Sequence, residues 1–171
     1  RSPLCGRNFE YLSEDPILVG RMAAGLTQGI QSTGTAACPK HFAANSQELR
    51  RMESDSIVDE RTLREIYLTG FEIVCRSAKP RAIMSSYNLV NGTHAHENKH
   101  LLTDILRTEW GFDGMVVSDL GGCTDAVTAV RAGGSLEMPV PGLEDARRIV
   151  AAVEAGTLEA SDVYARAQEV L

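Results

Sequence analysis

The chain has 171 residues, of which 43% are hydrophobic and 23% charged, and its formal net charge is −6. This composition excludes disordered, collagen-like and low-complexity chains. Lysines and arginines are scattered through an acidic sequence, and no apolar run approaches the roughly 18 residues of a membrane span, so we expect neither a nucleic acid nor a membrane as partner.

Five helices are predicted from apolar spacing combined with start and stop signals. The first begins at Pro16, and its apolar residues at spacings of three and four reach Ile30. The second opens at residues 59–62, the third covers 98–109, the fourth covers Leu143–Glu154, and the last runs over 161–171. In the fourth helix the apolar positions, Val150 among them, are expected to face the core.

Four short apolar or β-rich segments alternate with these helices, at 34–39, 81–86, 115–118 and 134–136. Strands that alternate with helices form a parallel sheet, whose carboxyl-end mouth is where catalytic groups collect. Polar residues follow each segment in turn: Lys40 and His41, then Tyr87 and Asn88, then Asp119, and then Glu137.

Asp119 carries the strongest functional signal because an apolar strand delivers it and two glycines follow it. Glycine lets a ligand or another backbone approach closely. A strand-end aspartate could instead cap the next helix. Because the fold pattern favours catalytic groups at this position, Asp119 is the first candidate for a reacting carboxylate.

The alternation predicts an α/β fold that is part of a (β/α)8 barrel of the TIM type. A closed barrel needs about 250 residues. Four strands make about half of one, so we expect residues 1–171 to be a partial barrel domain from a longer polypeptide. Nothing in the sequence indicates a compartment.

Neither a metal nor a cofactor is predicted. The cysteines, at positions 5, 38, 75 and 123, lack zinc or redox spacing and are expected to be buried free thiols. A cluster of His94, His96, Glu97 and His100 has metal-like spacing, but it lies in a loop away from the strand ends. Residues 91–93 match an N-glycosylation acceptor, which here indicates only a loop.

Several motifs occur in the order in which one enzyme family carries them. They are Gly6-Arg7-Asn8-Phe9-Glu10, residues 13–16, Lys40-His41-Phe42, residues 45–51, residues 59–67, Tyr87-Asn88, Asn91-Gly92, residues 109–112 and Ser118-Asp119. Together they resemble glycoside hydrolase family 3, of the β-glucosidase type, over nearly the whole chain.

The resemblance implies a retaining, exo-acting enzyme that hydrolyses terminal non-reducing β-D-glucosyl residues, with Asp119 as the nucleophile. It places Arg7, Lys40 and His41 on hydroxyl groups of that sugar. Two further residues, Arg51 and Tyr87, match positions around the pocket and close to the nucleophile. The chemistry agrees, because arginine and lysine donate to hydroxyl groups and a retaining enzyme needs a nucleophilic carboxylate.

The resemblance also implies that the acid/base residue comes from a later domain. That domain and the first strands of the barrel are therefore expected to be absent from residues 1–171, and the missing segments are expected to complement the chain, or the chain to self-associate. Glu137 is then a supporting residue rather than the proton donor. On its own the chain is expected to hydrolyse a β-linked glucoside or oligosaccharide poorly.

The sequence departs from the family at two informative positions. Leu120 stands where many members carry tryptophan, which removes an aromatic platform for a sugar face and leaves the aglycone preference open. Ser135 stands where an aspartate is common.

Two other functions fit the residues. The chain could be a catalytically inert sugar-binding or scaffold fragment, which the missing acid/base favours. It could also be a Schiff-base lyase on a TIM barrel, in which Lys40 would need to be desolvated. The neighbouring histidine and the acidic surroundings disfavour that lyase.

Overall fold

The structure, a computed structural model, describes residues 2–139 and 142–171. Its α-helices are α1 (Pro16–Gln31), α2 (Glu60–Thr62), α3 (Thr69–Ala78), α4 (Ala126–Ala132), α5 (Leu143–Glu154) and α6 (Ala160–Val170). A π-helical stretch, Leu63–Leu68, joins α2 to α3, and a second π-helix covers His100–Glu109. Short 3₁₀ turns lie at Asn8–Glu10 and Ala95–Glu97.

The five predicted helices are present, and three of them begin where sequence signals place them. The second predicted helix opens at Glu60, with Asp59 as its cap. Pro16 is the first residue of α1, where the Asp15 carboxylate caps the Ile17 and Leu18 amides. Helix α5 has the bounds that were predicted for the fourth helix, Leu143–Glu154. The third begins two residues late, at His100, and α6 begins at Ala160 without a side-chain cap.

One helix, α4, was not predicted. Its capping residue is Asp125, whose side chain accepts a hydrogen bond from the Val127 amide. Its end is marked by Gly133, which has φ of 112°. The helix has seven residues and is rich in alanine, so its apolar periodicity is too short to detect. Because Asp125 caps this helix, Asp119 is not its cap.

A parallel series of four segments forms the centre of the fold. Strand β2 (Ala82–Met84) pairs in parallel with β5 (Met115–Val117), in the register Ala82 with Met115. Single parallel bridges extend the series on both sides, from Phe42 to Ser85 and from Val117 to Leu136. The prediction of four parallel strands is therefore confirmed in order and direction, although the outer two segments form only single bridges.

A small second sheet was not predicted. It contains β1 (Asp55–Ser56), β3 (Leu89–Val90) and β4 (Thr93–His94), in the order β1-β3-β4. The turn between β3 and β4 is Asn91-Gly92, with φ of 51° and 87°. Two consecutive residues with positive φ are what a type I′ hairpin requires. The Asn91 side chain also bonds both the amide and the carbonyl of Val58, at 2.9 Å each.

The core lies between the parallel series and the helices on one side of it. Phe42 is fully buried, and its ring makes edge contacts with Phe71 and Trp110 at centroid distances of 5.2 and 5.9 Å. The π-helix contributes four fully buried side chains, Leu101, Leu102, Ile105 and Leu106. Burial of such side chains is the main stabilising contribution to this fold.

The prediction that Val150 faces the core is wrong, because it is 56% exposed and α5 has no buried residue. Helix α1 packs on α3 through small residues, and a Cβ at Gly20 would lie 2.8 Å from Ile73 Cδ1 and 3.2 Å from Gly70 Cα. Its larger apolar side chains, such as Leu26 at 57% exposure, instead line a groove.

This open groove has a volume of about 290 Å³ and runs between α1, α3 and residues 37–40. Leu26, Ile30 and Phe71 line it together with Cys38 and Pro39. Residues 37–42 hydrogen-bond to β2 on one side, through Ala82, Met84 and Ser86. The groove lies along this outermost segment of the parallel series.

Two cysteines behave as predicted and two do not. Cys5 and Cys75 are buried, whereas Cys38 is exposed and Cys123 is half-buried. Among the described residues, no helix is both long enough and apolar enough to cross a membrane.

Polar contacts hold helix α6 against the parallel series. The Ser135 hydroxyl donates to Glu169 Oε2 at 2.6 Å, and Arg107 Nη2 lies 2.7 Å from the same oxygen. Ser135 thus stands beside a carboxylate that α6 supplies, at the position where the family commonly has an aspartate.

Candidate active site

Four predicted site residues meet beyond the carboxyl ends of the parallel segments. His41 directly precedes Phe42, the bridging residue of the first segment, Tyr87 follows β2 and Asp119 follows β5. Arg7 comes from the chain preceding the Asn8–Glu10 turn and reaches the same place. His41, Tyr87 and Asp119 are 2%, 5% and 6% exposed, so the site is largely shielded from solvent.

The two carboxylate oxygens of Asp119 have different surroundings. Oδ1 accepts a hydrogen bond from the Leu120 amide at 2.8 Å. Oδ2 lies 3.3 Å from His41 Nε2 and 3.9 Å from Arg7 Nη1. Among the described residues, no donor meets Oδ2 with ordinary hydrogen-bond geometry, although the Tyr87 hydroxyl lies close enough for the Asp119 carboxylate to raise its pKa. A buried oxygen in this state keeps its lone pairs available for a ligand.

Close packing behind Asp119 depends on a glycine. The Gly122 amide donates to the Asp119 carbonyl at 2.8 Å. A Cβ at Gly122 would lie 3.1 Å from that carbonyl oxygen and 3.5 Å from Tyr87 Cδ1. The second glycine after Asp119 therefore allows Tyr87 and the loop that follows Asp119 to approach one another.

Arg7 and Lys40 are joined by a carboxylate that sequence reasoning did not single out. Arg7 Nε lies 2.5 Å from Glu10 Oε1, and Arg7 Nη2 lies 3.0 Å from Glu10 Oε2. Lys40 Nζ lies 2.6 Å from the same Oε2. Hydrogen bonds from Arg7 and then Lys40 lower the pKa of Glu10 to about 2.

His41 lies between a tyrosine and an arginine. The Tyr11 hydroxyl is 2.6 Å from Nδ1, and Arg7 Nη2 is 3.3 Å from Nε2. Burial lowers the pKa of His41 to about 4, although the nearby Asp119 carboxylate opposes this effect. The imidazole is therefore neutral at neutral pH.

Arg51 and Tyr87 form one stacked pair. The guanidinium carbon of Arg51 lies 4.3 Å from the centroid of the Tyr87 ring, a distance typical of a cation–π contact. Glu48 holds this guanidinium at 3.0 Å through Arg51 Nη1. Burial, and then the neighbouring Asp119, raise the pKa of the Tyr87 hydroxyl.

Glu10, Tyr11 and Glu48 are site residues that sequence reasoning missed. Tyr11 and Glu10 lie about 30 positions before their partners on the first parallel segment. Glu10 belongs to the family motif Gly6-Arg7-Asn8-Phe9-Glu10, and this motif is the signal that could have identified it as a site residue. Glu137, next along the series, has its pKa raised by burial and by Asp145, and it makes none of the contacts above.

The histidine-rich loop has other partners. His96 is buried against the Ser85 hydroxyl, His100 lies 3.0 Å from Glu60, and Glu97 accepts from the Thr124 and Asp125 amides. Within residues 2–139 and 142–171, no three His, Cys, Asp or Glu side chains converge in the geometry of a metal site.

Known proteins have a similar sequence and a similar fold. The family described as glycosyl hydrolase family 3 N terminal domain matches residues 1–171. The chain belongs to this family. It is 51% identical over 172 residues to thermostable β-glucosidase B of Acetivibrio thermocellus, covering 100% of this chain and 23% of that protein. It is 47% identical to the exo-α-(1→6)-L-arabinopyranosidase of Bifidobacterium longum, covering 100% of this chain and 22% of that protein.

Solved structures in the family agree closely with this fold. The structure of β-glucosidase 3B from Thermotoga neapolitana in complex with glycerol superposes with a TM-score of 0.95 at 45% identity, covering 99% of this chain and 25% of that one. Its complex with α-D-glucose gives a TM-score of 0.91 at 45% identity, covering 97% and 24%. This chain thus spans about a quarter of the length of these relatives. Its barrel-type α/β fold is established.

Proposed function

We propose that residues 1–171 belong to the catalytic barrel of a retaining, exo-acting β-glycosidase, with Asp119 as its nucleophile. The observation that carries this proposal is Asp119 Oδ2, which is buried beside His41 and Arg7 yet accepts no hydrogen bond of ordinary geometry within the described residues. An oxygen held in this way can attack an anomeric carbon without first losing a strong donor.

In the first step, Asp119 Oδ2 forms a bond to the anomeric carbon while the bond to the leaving oxygen breaks. The leaving oxygen needs a proton, which a second carboxylic acid supplies. In the second step, water attacks the anomeric carbon, that carboxylate takes the water proton, and Asp119 is released. We assign the second carboxyl to a later part of a longer polypeptide, and the first barrel strands to an earlier part.

Arg7, Lys40 and His41 are the proposed ligands of the sugar hydroxyl groups. Arg7 Nη1 makes no hydrogen bond to any described residue, and Lys40 Nζ uses one of its three protons on Glu10. Arg51 and Tyr87 form one wall beside Asp119. These donors suit a neutral, hydroxyl-rich ligand, because Arg7 and Lys40 are both paired with Glu10 and Arg51 is paired with Glu48.

The proposed substrate is a terminal non-reducing β-D-glucosyl residue. The similar proteins named as β-glucosidases and the glucose complex in the Thermotoga neapolitana structure support it. The Bifidobacterium longum relative is named for an arabinopyranoside, which makes the pentoside the first competing substrate to measure. Leu120, directly after the nucleophile and 58% exposed, stands where it can contact the aglycone.

The lyase alternative is not supported. A Schiff-base lysine needs a desolvated amine, whereas the Lys40 side chain is 41% exposed and paired with Glu10. The inert-fragment alternative applies to the isolated chain. The apolar groove along residues 37–42 supports complementation by missing barrel strands, or self-association of isolated chains, because an open strand edge invites pairing.

The test is covalent trapping with a 2-deoxy-2-fluoro-β-glucoside that carries a dinitrophenyl leaving group. This leaving group needs no protonation, so formation of the glycosyl-enzyme does not depend on the acid/base residue. Intact mass and peptide mapping should place one glycosyl group on Asp119 in the full-length protein. Asp119→Asn should show none, while the matched control Asp113→Asn, at an exposed position, should be labelled normally.

An adduct on another carboxylate would remove Asp119 from the nucleophile role. The same incubation with the isolated 171 residues tests whether this part of the protein is active by itself or is an inert fragment. Labelling of the isolated chain would show that it assembles its own pocket, whereas labelling of the full-length protein alone would show that the missing strands are needed.

A further inference from the structure

Glu10 occupies a position that determines where Arg7 points. Its two oxygens receive Arg7 Nε and Nη2 as a paired fork, and Oε2 also receives Lys40 Nζ. The side chains of Arg7 and Glu10 are each 18% exposed, so this pair is more shielded than a surface ion pair. Paired contacts of arginine with a carboxylate are among the strongest and most directional hydrogen bonds in proteins.

The five protons of Arg7 can be assigned from these contacts. Nε and one proton of Nη2 are directed at Glu10, and the other Nη2 proton is directed at His41 Nε2. Nη1 keeps two protons, and its nearest carboxylate oxygen is Asp119 Oδ2 at 3.9 Å. That separation is about 1 Å longer than a charge-assisted hydrogen bond.

Without Glu10, Arg7 would have a different carboxylate to pair with. Asp119 is buried, negatively charged and within reach of a small rotation of the guanidinium. Arg7 would then donate to the oxygen that must attack the sugar. Glu48, the other acidic residue that raises the pKa of Arg7, is already paired with Arg51.

We propose that Glu10 is a positioning residue that holds Arg7 away from the nucleophile and leaves Asp119 Oδ2 available for attack. It also turns towards the sugar the two Nη1 protons of Arg7, which bond no described residue, and it pairs with the adjacent charge of Lys40. The proposal rests on the proposed function, because it takes Asp119 as the nucleophile.

The first test is a crystal structure of full-length Glu10→Gln, because it does not depend on activity. A glutamine has nearly the same shape but loses the negative charge that holds Arg7. We expect Arg7 Nη1 to move to within about 3 Å of Asp119 Oδ2. Arg7 remaining near its present position would overturn the proposal, whatever the trapping experiment shows for Asp119.

The second test measures the rate of dinitrophenolate release in stopped-flow experiments with a dinitrophenyl glucoside. Glu10→Gln should lower the glycosylation rate constant about tenfold or more, with a smaller change in KM, because the nucleophile itself is occupied. In an Arg7→Met background the same substitution should change the rate less than about threefold, because residues acting through one contact are non-additive.

Equal losses in the two backgrounds would mean that Glu10 acts only through general folding, and the proposal would fail. Glu72→Gln is the matched control, since it removes a Glu–Arg pair on the surface of α3 with no contact to the site. If Glu10→Gln does not fold, Glu10→Asp retains the charge at a shorter reach. Glu10→Asp should then give an intermediate Arg7 position and an intermediate rate. A variant in which Arg7 is displaced but the rate equals that of the unmodified enzyme would overturn the mechanism.

Discussion

The hydroxyl oxygen of Tyr11 lies 2.6 Å from Nδ1 of His41, on the side of the ring that faces away from Arg7. An arginine can only donate, and Asp119 Oδ2, although 3.3 Å from Nε2, lies outside hydrogen-bond geometry, so we assign Nε2 as the acceptor for Arg7 Nη2 and the ring proton to Nδ1. His41 therefore donates to the Tyr11 oxygen. Arg7 therefore sets which nitrogen of the imidazole accepts, and the Tyr11 oxygen accepts the proton of the other nitrogen.

Replacing Tyr11 with phenylalanine should redistribute this proton. Loss of the acceptor at Nδ1 favours protonation at Nε2, which then opposes Arg7. We expect the ¹⁵N shifts of His41 to change to the Nε2–H form and KM to rise about fivefold, the size of one neutral hydrogen bond. Tyr164→Phe, at a side chain that is 71% exposed in α6, is the control and should change neither. Unchanged His41 shifts in Tyr11→Phe would contradict the assignment.

The stability of the protein should fall as the pH is lowered from about 6.5 to 4. Burial lowers the pKa of His41 and of His96 to about 4, whereas unfolded histidines titrate near 6.5. Within this window the unfolded state binds up to two more protons, so the free energy of unfolding decreases with falling pH by up to about 2.7 kcal/mol per unit. Glu10, whose pKa is lowered to about 2, acts in a separate window, below about 4.5.

Urea unfolding at a series of pH values measures this slope. His96→Gln should reduce the slope between pH 4 and 6.5 by about half, because one of the two buried neutral imidazoles is gone. His96 contacts the Ser85 hydroxyl and lies outside the proposed sugar pocket, so the variant separates stability from substrate binding. An identical slope in the variant would show that His96 is not the group responsible.

Two glycines in α1 should respond to alanine in opposite directions. A Cβ at Gly20 would lie 2.8 Å from Ile73 Cδ1 and would push α1 away from α3, so we expect a loss of about 1–3 kcal/mol. A Cβ at Gly25 would meet no atom within 4 Å. Gly25→Ala should therefore stabilise the helix by about 0.5–1 kcal/mol through backbone entropy. Thermal unfolding of both variants checks the close crossing of the two helices, and equal effects would contradict it.

Leu120 provides a specificity test. Its side chain is 58% exposed and immediately follows the proposed nucleophile, so Leu120→Trp adds an aromatic surface at the mouth of the site. We expect KM for aryl β-glucosides to fall about three- to tenfold, the range of one aromatic contact. Competitive inhibition by glucose, which reports on the glycone pocket alone, should remain within about twofold. A parallel change in glucose inhibition would place Leu120 in the glycone pocket instead.

Sequence patterns predicted the parallel series, five of the six α-helices and the strand-end position of Asp119 because these depend on local periodicity and end signals. The residues that pack against one another were harder to predict from the sequence. The apolar stripe of α1 was correctly found, but the face that contacts α3 is decided by the small residues Gly20 and Gly70. The contacts of Glu10 and Tyr11 join distant parts of the chain, and no spacing rule encodes them. The Asn91-Gly92 dipeptide is itself a signal for a type I′ hairpin, but only a loop was predicted there.

That hairpin affects how the protein can be produced. Asn91 Nδ2, the nitrogen that a glycosylating enzyme would modify, donates to the Val58 carbonyl and fastens the β3–β4 turn to the chain ahead of α2. Attachment of a glycan during secretion would place a bulky sugar on the atom that the turn uses as its anchor. Expression in the bacterial cytoplasm leaves this anchor intact, whereas a yeast or mammalian secretory host can attach a sugar to the same nitrogen, which then keeps a single proton for the Val58 carbonyl.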